Sequence, residues 1–318
     1  GPGRRPPSEG LPPAGRESAV TLTEPRWDVA RAALADIVET LPAVQRPVAD
    51  CDRLVLARIR EAIGLDQCKL AVSGAAASDK LKQWGWYAPD WSAPAKPWRF
   101  VAVTEPGEYN HYYHGEGVGD INGDGRADLV LNEGWWEQPP KSAPPGRPWR
   151  KHPFLFSDDR GGAQMLVADV NGDGRNDVIT AKNAHGWGLS WFEQTRDAAG
   201  AISFREHRIM GNREEEARFG VAFSQPHALT LADLDGDGLP DIVTGKRRWA
   251  HGPKGDVEPM ATPVNYAFIL RRDRAAAGGA RYLPRLIDDA SGLGTQVVAA
   301  DVNRDGVPDV LAASKLGA

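Results

Sequence analysis

Asp169-Val170-Asn171-Gly172-Asp173-Gly174-Arg175-Asn176-Asp177 carries oxygen-bearing side chains at positions 1, 3, 5 and 9 and glycine at position 6. The pattern recurs as Asp120-Ile121-Asn122-Gly123-Asp124-Gly125-Arg126-Ala127-Asp128, as Asp233-Leu234-Asp235-Gly236-Asp237-Gly238-Leu239-Pro240-Asp241 and as Asp301-Val302-Asn303-Arg304-Asp305-Gly306-Val307-Pro308-Asp309. Short oxygen ligands at alternate positions converge on one centre, and glycine at position 6 allows the sharp turn this needs. Position 7 offers its backbone carbonyl, so its side chain varies freely among Arg126, Arg175, Leu239 and Val307. Position 9 is expected to close the site with a carboxylate. Hard oxygen donors in a flexible loop suit Ca²⁺ better than Zn²⁺ or Mg²⁺, which predicts about four calcium sites. An EF-hand requires Glu at position 12 between two helices. Position 12 is instead Leu131, Thr180, Thr244 and Ala312, and the flanks are strand-like.

Around each loop a larger unit repeats. A small apolar strand ends in the first Asp, and a second strand such as Asp128-Leu129-Val130-Leu131 follows the loop. An aromatic third strand comes next (Gly134-Trp135-Trp136-Glu137, then Leu189-Ser190-Trp191-Phe192), and a fourth closes the unit (Trp149 to Phe154, then Phe204 to Ile209). The loops start 49, 64 and 68 residues apart. Four short strands per unit predict an all-β chain with the blades of a β-propeller. Residues 83–88 and 98–103 read as a third and a fourth strand, and residues 296–314 as a first and a second. These half-blades either join into one blade, making four, or mark an open arc of a larger ring. The chain's end at Lys315-Leu316-Gly317-Ala318 favours the arc. The paired aromatics Trp135/Trp136 and Trp191/Phe192 are expected to pack between blades.

Composition agrees with that reading. The chain has 318 residues, 41% of them hydrophobic, and a net charge of −5. The loops hold thirteen aspartates, so the remainder is net positive. Neither a nucleic-acid-binding surface nor a membrane-spanning segment is predicted. The two cysteines, Cys51 and Cys68, precede the repeats, which excludes a disulfide scaffold there.

Residues 1–18 are rich in Pro, Gly and Arg and read as a disordered tail rather than a signal peptide. Residues 19–80 read as a small helical segment, with helical apolar spacing over Trp27–Val38 and Arg53–Ile63. Residues 81–318 form the propeller.

With these motifs in view, the loops resemble the FG-GAP/VCBS repeats of integrin-α-like propellers. More narrowly, Gly115-Glu116-Gly117-Val118-Gly119-Asp120, Ala184–Glu193 and Thr244–Pro253 are similar to VCBS-repeat proteins of planctomycete-type bacteria. The resemblance covers residues 82–318. It implies an exported, extracellular or periplasmic (secreted) propeller stabilised by Ca²⁺, often with seven blades. Four loops fall short of that number. Separately, residues 50–76, especially Gly64-Leu65-Asp66-Gln67-Cys68-Lys69-Leu70-Ala71-Val72-Ser73-Gly74-Ala75-Ala76, resemble a fragment of an adenylate-forming acyl-CoA ligase. That family's Ser/Thr/Gly-rich phosphate loop and later catalytic motifs are missing, so the fragment is read as non-functional.

If the metal loops turn each first and second strand, the opposite ends of those strands must meet elsewhere. His114, Gln164, His227 and Gln296 precede the four loops by five or six residues, while Lys182, His185, Lys246, Arg247 and His251 follow second strands. With Trp187 and Trp249 nearby, they predict a polar, aromatic-edged funnel for a glycan or protein ligand. A binding or interaction module is the leading expectation. The alternatives are a carbohydrate lyase or dehydratase drawing on His114, His227, Lys246 and Arg247, or a structural arc of a larger protein.

Overall fold

Each Asp/Asn loop closes a two-stranded antiparallel hairpin, and the residue before position 1 pairs with the aspartate at position 9: Gly119 with Asp128, Ala168 with Asp177, Ala232 with Asp241, Ala300 with Asp309. The structure, a computed structural model, describes residues 83–88, 90–93, 96–107, 114–144, 146–158 and 161–312. The expected tail (1–18), the helical and ligase-like segment (19–80) and residues 313–318 lie outside the described residues.

The described chain is mostly strand. β1 (Gly85–Ala88) pairs with β2 (Arg99–Ala102). Three four-stranded antiparallel sheets follow. The first holds β3 (Glu116–Gly119), β4 (Asp128–Leu131), β5 (Gly134–Glu137) and β6 (Arg150–Pro153). The second holds β7 (Leu166–Ala168), β8 (Asp177–Ala181), β9 (Leu189–Arg196) and β10 (Ile202–Met210). The third holds β11 (Leu229–Ala232), β12 (Asp241–Gly245), β13 (Asn265–Arg272) and β14 (Ala280–Asp288). β15 (Val297–Ala300) and β16 (Asp309–Ala312) form a final hairpin. In all three sheets the strands neighbour one another in chain order, and no sheet closes on itself. β1–β2 and β15–β16 remain separate two-stranded sheets. The only α-helix among the described residues, α1 (Glu216–Phe219), sits between the second and third sheets in sequence.

The sheets pack face to face in succession. First strands lie side by side: β3 beside β7, β7 beside β11, β11 beside β15. Gly117 and Gly119 make the first of these contacts possible. A Cβ on Gly117 would stand 1.7 Å from the Met165 carbonyl oxygen, and one on Gly119 2.4 Å from Val167 Cβ. The second strands β4, β8 and β12 are covered on both sides, which is why they read as continuous apolar runs rather than alternating ones. Along β4, Leu129 and Leu131 join Trp84, Val103 and Trp136 between β1–β2 and the first sheet. Val130, one residue out of phase, points the other way and joins Trp135, Met165, Val178 and Phe192 against the second sheet. Trp191, Ile242, Phe268 and Leu270 fill the space between the second and third sheets. Val243 and Val297 meet between the third sheet and the last hairpin. All four expected aromatics, Trp135, Trp136, Trp191 and Phe192, are thus buried between sheets. On the outer side of the last hairpin, Val298 and Leu311 are exposed.

Candidate functional site

Two groups of polar residues occupy opposite ends of the loop hairpins. In the loops, the position-1 aspartate acts as a hub for backbone amides. Asp120 Oδ1 accepts from the amides of Gly123 (2.7 Å) and Asp124 (3.0 Å), and Oδ2 from that of Gly125 (2.7 Å). Asp169 and Asp233 repeat this arrangement in full, and Asp301 takes the amides of Asp305 and Gly306. Glycines at positions 4 and 6 of the first three loops have positive φ, as does Gly306, and in the fourth loop Arg304 adopts φ 64° at position 4.

Side chains at positions 3 and 5 stay at the surface. Carboxylate oxygens of Asp233, Asp235 and Asp237 all lie within 4.8 Å of one another. Asn122 and Asn303 donate to the position-5 carboxylates of Asp124 and Asp305. Basic side chains accompany three of these clusters: Arg126 on Asp124, Arg175 on Asp173, and Arg271 on both Asp235 and Asp237. In the third loop the three carboxylates are close enough for one hard cation to share them, while the arginines already pair the carboxylates of Asp124, Asp173, Asp235 and Asp237.

Position 9 has a further task. Asp128, Asp177 and Asp241 are fully buried. One oxygen of each accepts the amide at loop position 2 (Ile121, Val170, Leu234), and the other accepts an amide from third-strand sequence (Gln138, Gln194, Leu270). Burial pushes Asp128 up to about 6 and Asp177 up to about 7, and raises Asp241 in the same direction. Each carboxylate therefore fastens its loop to the neighbouring strand, and each oxygen keeps a second lone pair.

At the other end of the hairpins, three successive sheets each bring in one histidine. His114 precedes β3, His185 follows β8 and His227 precedes β11. Their ring centroids are 4.8 to 5.5 Å apart, and His114 Nε2 lies 3.0 Å from His185 Nε2. Asp256 Oδ1 receives both His185 Nδ1 (3.1 Å) and His251 Nδ1 (2.9 Å). Burial, reinforced by the Arg247 charge, lowers His185 to about 4 and His227 to about 2, so both rings are neutral. Although burial opposes it, the bonds from His251 and His185 hold the Asp256 carboxyl down at about 2. His227 Nδ1 is buried without a hydrogen-bond partner among the described residues.

Two further cations stand behind this cluster. Lys246 is 1% exposed and donates to Ser224 Oγ at 2.9 Å, and burial pulls it down to about 8. Arg247 is 5% exposed, and its Nε and Nη2 have no hydrogen-bond partner among the described residues. Burial lowers it to about 10, with Asp256 working the other way.

Among the remaining residues of the expected funnel, Gln164 and Gln296 approach each other, while Lys182 and Trp187 make separate contacts. Gln164 spans the starts of neighbouring first strands, accepting the Leu229 amide at 2.7 Å and approaching Thr295 O and Gln296 Oε1 at 3.5 Å. Lys182 turns to Asp158 and Glu206, in a surface depression that none of the histidines line. Trp187 stacks under Arg213, and Trp249 is half-buried.

Asp256 was not singled out by sequence reasoning. It sits in the long connection between β12 and β13, where Asp256, Glu258 and Met260 adopt positive φ (64°, 47° and 66°). Such a run is uncommon for non-glycine residues and clusters at functional sites. Glu258 ties the same connection to Arg213 and Ser224. The only sequence signal was the Gly/Pro-rich stretch His251-Gly252-Pro253-Lys254-Gly255.

A family model described as FG-GAP-like repeat matches residues 169–244, the span from the second loop through the third and into β12. No curated protein matches the chain. Together with the successive antiparallel sheets, that match points to a β-propeller-like fold of the interaction-module type. Among the described residues no helix is long and apolar enough to cross a membrane.

Proposed function

We propose that this chain is an extracytoplasmic, calcium-stabilised propeller module that binds an anionic ligand, a carboxylated glycan or an acidic protein segment, at the histidine end of its hairpins. Calcium belongs to the four Asp/Asn loops in a structural role. The recognition site is the opposite end.

Arg247 is the observation that carries this reading. A buried guanidinium with two nitrogens unpartnered among the described residues is costly, because buried polar groups are normally satisfied. Its fork geometry matches a carboxylate. Neutral imidazoles near it add uncharged polar groups for ligand hydroxyls, and no acidic side chain among the described residues pairs with it directly. Calorimetric titration with oligouronates, neutral oligosaccharides and acidic peptides, in excess calcium, tests the assignment. Binding of an acidic ligand by the wild type and its loss in Arg247→Met support it. Equal binding of neutral and acidic sugars, or unchanged binding by the variant, refutes it.

A lyase or dehydratase reading draws on the neutral imidazoles of His185 and His227, either of which could accept a proton. Lys246 does not strengthen it, since its ammonium is buried against Ser224. A mass change in oligouronates after incubation, lost in His227→Ala, would favour the enzyme over the binding module.

A further inference from the structure

We propose that His114, His185 and His227 hold one divalent cation of the zinc type, at a site chemically distinct from the Asp/Asn loops and at the opposite end of the hairpins. One ring nitrogen from each lies within 4.8 Å of the other two. Zinc–nitrogen bonds of about 2.0–2.1 Å in tetrahedral geometry put ligand nitrogens about 3.4 Å apart. The observed separations, from 3.0 Å for His114–His185 up to the 4.8 Å limit, bracket that value, so small ring rotations suffice.

Donor chemistry separates the two kinds of site. Imidazole suits zinc and its neighbours, whereas carboxylate and carbonyl oxygens suit calcium. The histidines are also prepared as ligands. His185 Nδ1 lies 3.1 Å from Asp256 Oδ1, and a ring that donates there keeps its lone pair on Nε2, the atom 3.0 Å from His114 Nε2. A carboxylate behind a ligating histidine is the usual outer-shell partner at zinc sites, where it fixes the tautomer and orients the ring. A hydrogen bond between the two Nε2 atoms would account for the close pair, but not for the third imidazole or for His227 Nδ1, which has no partner among the described residues.

Three protein nitrogens leave a fourth position open. An oxyanion there could meet the Arg247 guanidinium. That last step rests on the ligand reading above, whereas cation binding stands without it.

The full-length chain, stripped with chelator and returned to excess calcium so that oxygen-only sites are occupied, is titrated with Co²⁺. One Co²⁺ per chain with a nitrogen-ligated visible spectrum, displaced by Zn²⁺, is the expected result. His114→Ala and His227→Ala should each weaken binding at least tenfold and Asp256→Asn about 10–100-fold, with His251→Ala within about threefold of wild type. Absence of the cobalt spectrum from the wild type overturns the proposal, whatever the variants do. So does loss of binding in His251→Ala with retention in His227→Ala, which would move the ion to His185, His251 and Asp256. Oligouronate binding without cobalt binding would leave the ligand reading standing and remove the ion.

Discussion

The backbone amide of Leu270 donates to Asp241 Oδ1 at 2.8 Å, across 29 positions of sequence, while Asp241 Oδ2 takes the amide of Leu234 inside the loop. One buried carboxylate thus joins the turn between β11 and β12 to the body of β13. Replacing it strands two amides. Asp241→Ala is expected to lower stability by about 1–3 kcal/mol for each orphaned donor, while Asp241→Asn, which keeps an acceptor oxygen, should lose less. Urea unfolding of both variants checks the order, and equal losses would contradict the fastening role.

Calcium removal should be felt globally. With free calcium at about 100 times the dissociation constant, each occupied site adds about 2.7 kcal/mol to the folded state. Titration calorimetry should find about four sites, and melting in EGTA should show a large fall in Tm. A melt in EGTA identical to that in calcium would remove the calcium assignment.

Lys246 sets a pH dependence of its own. Burial, with repulsion from Arg213 and Arg247, outweighs the attraction of Glu258 and Asp256 and brings its folded pKa to about 8. In the unfolded chain it titrates near 10.4. Between those values the unfolded state binds more protons, so this group's contribution to stability rises with pH across the window and is flat below about 8. Urea midpoints of wild type and Lys246→Met, followed from about pH 7.5 to 10, should diverge in the wild type's favour as pH rises. Parallel curves would show that Lys246 keeps its ordinary proton affinity.

Arg247→Met should separate stability from function. Removing a buried charge with two nitrogens unpartnered among the described residues is expected to leave Tm unchanged or raise it by several degrees, on the order of 1 kcal/mol, even as binding of acidic ligands is lost. A marked drop in Tm would mean that Arg247 is a structural member of the protein.

Much of the fold was legible because its signals are local and repeated. The aspartate spacing, the glycine at position 6 and the apolar runs of β4, β8 and β12 depend on neighbours within one hairpin, so periodicity alone places them. The match to the FG-GAP-like repeat falls on that same local pattern. The histidine end was only half legible. That His114, His185 and His227 share an end of the hairpins follows from strand direction, whereas their convergence depends on how adjacent sheets are packed. Asp256 was invisible because its connection has no period and its backbone enters the left-handed region at residues that seldom do so. Lys182 and Gln164 sit at the expected strand ends, and their partners there, Asp158 and Glu206 for Lys182 and Leu229 and Gln296 for Gln164, depend on packing that position in sequence does not encode.

Gly117 and Gly119 have a consequence beyond packing. By letting β3 settle against β7, they set the spacing between two sheets that each contribute a single imidazole. The histidine cluster therefore works as a gauge of sheet-to-sheet alignment. No single sheet contains it, and any change that slides one sheet along its neighbour would dismantle the cluster, together with the bonds from Asn176, Gln194 and Arg272 to the adjacent loops, while leaving the strand pairing within each hairpin intact.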